Sequence, residues 1–137
     1  MNVESQLKIL VVDDDPLCLK VVESLLLENY DCEVELADSV EEALNRINEL
    51  SIEREWKPRW YDIVFMDINL PILNGDVVTK IIKQAESNMR DIPVIAITNE
   101  ATAQRKDEFH KAGIADIIIK PITLEKIAPM MTKHLKV

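Results

Sequence analysis

The chain has 137 residues, of which 47% are apolar and 30% charged, and carries a formal net charge of −9. That length suits one domain with a substantial core. The acidic balance argues against nucleic acid or an anionic membrane as the main partner, because both require cationic surface.

In chain order, the first apolar run predicts a strand over about Leu7–Val12. Asp15 followed by Pro16 predicts an N-cap and a proline at the first helical position. Leu17, Cys18, Val21, Val22 and Leu25 follow at helical spacing and are expected to face a sheet. A second strand is expected near Cys32–Ala37, and Ser39-Val40-Glu41-Glu42 has the form of a capping box. The helix it opens should bury Val40, Ala43, Leu44, Ile47 and Leu50. Ser51–Tyr61 is irregular, charged, and holds Pro58, Trp56 and Trp60; it is expected to be a frayed helix end and a loop, with the tryptophans closing over the domain rim.

The third strand is expected at Asp62–Met66, followed by a loop over Pro71–Gly75 and a helix carrying Val77, Val78, Ile81, Ile82 and Ala85. A fourth strand should span Ile92–Ile97. The next helix should run from about Ala101 to Ala112 and stop at Gly113, a natural left-handed terminator. A fifth strand around Ile117–Ile119 precedes a last helix capped by Thr123, in which Pro129 predicts a kink or a late start. Strand and helix thus alternate, the pattern of a parallel sheet with crossover helices.

Met1 to Gln6 is polar and the next apolar stretch stops at Asp13, so no signal peptide is expected. No apolar run approaches the roughly 20 residues of a membrane span. Cys18 and Cys32 fall outside any CxxC pair, which predicts reduced thiols in a cytoplasmic domain.

Four of the apolar runs end in polar residues. Ile9–Val12 meets Asp13-Asp14, Ile63–Met66 meets Asp67, Val94–Ile97 meets Thr98, and Ile117–Ile119 meets Lys120-Pro121. Continuous apolar runs are what strands covered on both faces look like, and ligands of open α/β sheets sit outside the carboxyl ends of the strands. Three carboxylates, a hydroxyl and an ammonium should therefore converge on one pocket. Adjacent carboxylates repel one another unless a cation sits among them, so the set suits a hard divalent cation and a phosphoryl group.

These residues, with the loop Asp67-Ile68-Asn69-Leu70-Pro71-Ile72-Leu73-Asn74-Gly75, make the chain resemble a response-regulator receiver domain, the phosphoacceptor of two-component or phosphorelay signalling. The resemblance covers nearly the whole chain. It implies one receiver domain over 1–137 with a core of about 7–135. It also implies a doubly wound α/β fold, five parallel strands in the order 2-1-3-4-5 with helices on both faces. Asp67 would be the phosphoacceptor, taking phosphoryl from a histidine kinase or histidine phosphotransfer protein. Mg²⁺, or Mn²⁺ in its place, would be held by Asp14, Asp67 and the carbonyl of Asn69, with Asp13 acting through a bound water. Lys120 and Thr98 would bind phosphoryl oxygens. The protein would be a switch rather than an enzyme acting on other substrates, read by an output partner on the face built from the fourth helix, fifth strand and last helix.

The chain also departs from the family pattern. Ile117 stands where an aromatic residue commonly couples to the threonine, so ring-based switching is lost; Ile122 replaces an aromatic after Lys120-Pro121. Asn99 replaces a very small residue beside the phosphoryl site. Asn69 and Glu100 are the pair that tunes water attack in the family and imply a short-lived phosphoryl group. Three other readings compete. A pseudo-receiver would bind partners without phosphorylation. A haloacid-dehalogenase-type phosphatase would need an acid where Asn69 stands. A flavin carrier would need a glycine-rich phosphate loop where this chain has Asp13-Asp14-Asp15. His110 and His134 are expected on the surface without a catalytic role.

Overall fold

The computed structural model describes residues 6–53, 61–69, 79, 91–99 and 101–135. It contains five parallel strands, β1 (Leu7–Val12), β2 (Cys32–Ala37), β3 (Ile63–Asp67), β4 (Val94–Thr98) and β5 (Asp116–Ile119), in the order β2-β1-β3-β4-β5. Among the described residues the helices are α1 (Pro16–Asn29), α2 (Val40–Glu53), α3 (Ala103–Ala112) and α4 (Leu124–Leu135). The loop expected over Pro71–Gly75 and the helix expected around Val77–Ala85 lie outside the described residues, apart from Thr79, as do Trp56, Trp60 and Glu100.

Alternation along the strands sorts the core into two layers. Leu10, Val12, Val64, Met66, Val94 and Ala96 pack with Ala43 and Ile47 of α2 and Phe109 of α3. Ile9, Val11, Ile63, Phe65, Ile95, Ile97 and Ile118 face the other way, onto Leu19, Val22 and Leu26 of α1 and Ile127 and Met131 of α4. Because both faces are covered, β3 and β4 are buried at every position. Burial of one such aliphatic side chain contributes about 1.5–3 kcal/mol, so the two layers anchor the strand ends that carry the polar residues.

Helix starts follow local chemistry. The Asp15 side chain accepts from the Leu17 N–H at 3.0 Å, with Pro16 at the first position of α1. Ser39 Oγ accepts from the Glu42 N–H at 3.1 Å at the start of α2. Thr102, which the sequence reading passed over, accepts from the Arg105 N–H at 3.2 Å and starts α3 two residues later than expected. Gly113 ends α3 at φ 96°, the left-handed conformation that glycine adopts without a Cβ penalty.

The structure corrects several expectations. On α1, Leu17 is 72% exposed and Val21 39% exposed, and the buried stripe is Leu19, Val22 and Leu26, with Cys18 and Leu25 half-buried. The helix is apolar nearly all round, so two stripes satisfy helical spacing and only the angle at which the helix meets the sheet selects one. On α2, Ala43 and Ile47 are buried and Val40 and Leu44 pack beside them, as expected; the side chain of Leu50 lies outside the described set. β3 and β4 each run one residue further than expected, so Asp67 and Thr98 are last ladder residues rather than the first residues beyond. Helix α4 starts directly after Thr123, whose carbonyl accepts from the Lys126 and Ile127 N–H groups, and runs through Pro129 without a late start. Pro129 and Glu125, whose carbonyl it leaves without a helical donor, are both exposed, so water can satisfy that carbonyl.

Candidate functional site

Asp13, Asp67 and Lys120 continue the alternation of Ile9–Val11, Ile63–Phe65 and Ile118, so all three fall on the α1 and α4 side of the sheet at its carboxyl edge. Asp13 and Asp67 are 0% and 2% exposed, whereas Asp14 is exposed. Each buried acid spends one oxygen on its own loop: Asp13 Oδ1 accepts from the Asp15 N–H at 2.9 Å, and Asp67 Oδ1 from the Asn69 N–H at 2.8 Å. These turns, which acid side chains form readily with the backbone two residues on, aim the remaining oxygens at Lys120. Its Nζ lies 3.2 Å from Asp13 Oδ2 and 3.6 Å from Asp67 Oδ2.

One ammonium does not balance the site. Among the described residues, Asp13 Oδ2 is buried without a hydrogen-bond partner and has the Lys120 ammonium 3.2 Å away as its ion-pair neighbour. Burial, reinforced by the charge of Asp13, pushes the Asp67 carboxyl up from 3.8 to about 6, against the Asn69 N–H and Lys120, which favour the carboxylate. Burial alone would lower the Lys120 pKa, but the charges of Asp13 and Asp67 outweigh it and raise the value. Burial, helped by Asp13, pushes the Cys18 thiol up to about 12, which leaves it a poor nucleophile. Carboxylate oxygens of Asp13, Asp14 and Asp67 lie within 4.8 Å of one another. An orphaned buried carboxylate oxygen and an all-oxygen donor set fit a hard cation such as Mg²⁺.

Thr98 is buried at the end of β4, and its carbonyl accepts from the Lys120 N–H at 2.8 Å, tying the end of β4 to the turn after β5. The Lys120–Pro121 bond is cis. Asn69 and Asn99 are exposed. Asn99, Lys120, Pro121 and Ile122 line a cleft of about 490 Å³, together with Asp15, Leu17, Cys18 and Val21. The sequence reading missed Leu17 and Val21 as cleft residues because it assigned them to the core. Their signal was present: an apolar i, i+4 pair directly after the acidic strand end.

Ile117 is half-buried and packs against the layer under α2 and α3. Cys18 and Cys32 are both free thiols, half-buried and buried respectively. His110 is exposed, as expected. His134 is not a plain surface residue: its side chain is 15% exposed, with Nε2 3.4 Å from Asp116 Oδ2. Lys133 Nζ lies 3.1 Å from the same oxygen, and although burial alone would raise it, the Asp116 pKa is lowered by Lys133, the Ile117 N–H and His134. Among the described residues, no helix is long and apolar enough to cross a membrane.

The sequence pattern of the response regulator receiver domain matches residues 9–132. The chain is 32% identical over 126 residues to the signal transduction histidine-protein kinase BarA of Shigella flexneri, covering 92% of this chain and 12% of that protein. It therefore spans about an eighth of the length of that relative. The receiver domain of sensor histidine kinase PA1611 from Pseudomonas aeruginosa PAO1, solved with a magnesium ion coordinated in its active-site cleft, superposes with a TM-score of 0.77. It is 27% identical, and the match covers 97% of this chain and 100% of that one. Chemotaxis protein CheY4 of Vibrio cholerae superposes with a TM-score of 0.81 at 24% identity, covering 95% of this chain and 99% of that one, and shows the same fold.

Proposed function

The chain belongs to the response-regulator receiver family, the phosphoacceptor domains of two-component signalling, and we propose that Asp67 is its phosphoacceptor. The observation that carries this reading is the unbalanced pocket: two buried carboxylates, a third at its mouth, and one ammonium facing both buried acids. A purely structural ion pair would match its charges, because sealing a second carboxylate away from water costs more than one shared ammonium returns.

Asp13, Asp14, Asp67 and the carbonyl of Asn69 would hold Mg²⁺, which when bound neutralises charge on the phosphoryl oxygens and on the acids. The protein's own groups do the rest. The Asn69 N–H fixes one Asp67 oxygen and leaves the other free to attack. As that oxygen bonds to phosphorus, the P–N bond of a phosphohistidine breaks, its electron pair stays on the imidazole, and an acyl phosphate remains on Asp67. Lys120 supplies a cation to one phosphoryl oxygen and the Thr98 hydroxyl a donor to another. Asn69 carries no acid proton to give an alcohol leaving group, which disfavours phosphate esters as donors, and water later hydrolyses the aspartyl phosphate to reset the switch.

The reading takes residues 7–135 as one receiver domain. The donor would be a histidine kinase or histidine phosphotransfer protein, and the free thiols suit a cytoplasmic setting. The output partner would bind where α3, β5 and α4 meet. Half-buried Ile117 would respond through packing in place of a swinging ring. The test is to incubate wild type and Asp67→Asn with Mg²⁺ and acetyl phosphate and record intact mass, with beryllofluoride binding in parallel. A Mg²⁺-dependent phosphoryl adduct in wild type alone supports the reading. No adduct from acetyl phosphate or from a phosphohistidine donor would make the domain a pseudo-receiver.

A further inference from the structure

We propose that Lys126 is a positioning residue for phosphoryl transfer: from the first turn of α4 it clamps the turn that carries Lys120. This rests on the assignment of Lys120 to the phosphoryl site. The Lys126 ammonium donates to the carbonyl of Ile119 at 2.8 Å and to that of Pro121 at 2.9 Å. Those two carbonyls bracket the Lys120–Pro121 pair. The Lys120 N–H is itself held by the Thr98 carbonyl at 2.8 Å. The backbone around Lys120 is therefore fixed from β4 on one side and from α4 on the other.

The need for such a clamp follows from topology. β5 is an edge strand whose ladder to β4 ends with Ile119 opposite Thr98, so among the described residues the Lys120 N–H is the last group that β4 holds and the carbonyl side of the turn is left to α4. Lysine is a point donor on a flexible four-carbon stem. Its ammonium stays near both Asp13 and Asp67 only if the Cα from which it reaches is held still. Charge-assisted bonds to carbonyls are stronger than neutral ones and suit that task.

Lys126 is also out of place by helix chemistry alone. It is the third residue of α4, counted from Leu124. That position favours glutamate or glutamine, which reach back to accept from the cap, and the positive end of the helix dipole disfavours a cation. A lysine here gains by turning back as a donor to carbonyls, which an acid could not do. Both contacts are solvent-exposed, and Lys126 adds nothing to the layer formed by Ile127 and Met131, so its replacement leaves the core intact.

The experiment compares the wild-type chain of 137 residues with Lys126→Gln and Lys126→Arg. NMR relaxation at the Lys120 Cε reports whether the side chain is held, without any phosphoryl chemistry. The maximal rate of acetyl phosphate-driven phosphorylation and the Mg²⁺ affinity are measured beside it. In Lys126→Gln the Lys120 order parameter should fall, and the maximal rate should drop on the order of tenfold, the scale of a modest misplacement of a reacting group. Mg²⁺ affinity, set by the acids, should stay within about twofold of wild type, a change below 1 kcal/mol. Lys126→Arg, which keeps donors for both carbonyls, should recover the rate. A merely structural role would lower Tm and move rate and Mg²⁺ affinity together, and that result overturns the proposal. An unchanged Lys120 order parameter overturns it as well. If wild type itself takes no phosphoryl, the phosphoacceptor assignment fails, while the Lys120 relaxation still decides whether Lys126 is a clamp.

Discussion

The sheet carries buried charge toward both ends, and the two ends treat it differently. Toward the amino end, Lys8 is 8% exposed and sits 3.9 Å from Glu33 and 3.6 Å from Glu35, which also accepts from the Tyr61 hydroxyl at 2.5 Å. The Glu33 side chain is 52% exposed, so water shares the work of neutralising it. At the carboxyl edge the lysine is the more exposed partner at 22%, and the acids are sealed at 0% and 3%. The first cluster is satisfied as it stands. In the second, one ammonium faces two sealed acids, and that shortage of positive charge separates a structural network from a donor set that fits a hard cation.

The comparison breaks most readily at Lys120. Lys120→Ala should slow phosphorylation of Asp67 by about a hundredfold, the usual scale for removing a charge-stabilising donor. A stopped assay with acetyl phosphate and mass detection reads it, and a rate within a few fold of wild type would remove Lys120 from the chemistry. The next effect concerns stability. The folded pKa of Asp67, raised from 3.8 to about 6, means that its ionised form weakens the metal-free fold once pH exceeds 3.8, fully so above about 6. Asp67→Asn should therefore stabilise the metal-free protein by on the order of 2 kcal/mol at pH 8, with the gain fading as pH falls from 6 to 4. Denaturant titrations at both pH values, repeated with Mg²⁺ to restore the wild type, test the sign.

At the opposite end the expected effects are smaller. Lys8→Met keeps the aliphatic stem and removes the ion pairs; it should cost about 1 kcal/mol, because Glu33 and Glu35 can turn to water. Phosphorylation should be unaffected. A loss as large as that expected of a buried unpaired charge would erase the distinction between the two ends. The smallest effect belongs to Asp116, whose pKa is lowered by Lys133, the Ile117 N–H and His134 against the opposing effect of burial. Its contribution is complete above 3.8 and lost as pH falls through the lower folded value. Asp116→Asn should cost less than about 1 kcal/mol at neutral pH, since Lys133 is 67% exposed and screened, and nothing in strong acid.

Most of the site was legible because it is written at strand ends. An apolar run announces a buried strand, and the residue that ends it is placed at the carboxyl edge whatever the helices do. Asp13, Asp67 and Lys120 needed no further information to be brought together, and Thr98 ends β4 at the same edge. Leu17 and Val21 were misplaced because α1 is apolar around most of its circumference, and spacing alone gives two equivalent stripes. Thr102 escaped notice because Ala101 and Ala103 beside it mark no boundary. His134 was assigned to the surface because its partner, Asp116, lies 18 residues away on another element.

The sequence by itself determined the class of fold, the acids and the lysine that meet in the pocket, and the family, because periodicity and strand-end chemistry are local properties of the chain. Only the tertiary structure decided which α1 stripe is core and which lines the cleft. Only it showed that one lysine faces two sealed carboxylates, and that Lys126 reaches back to the carbonyls around Lys120. Each of these depends on distances between elements set by sheet order and helix packing, and no local pattern encodes them.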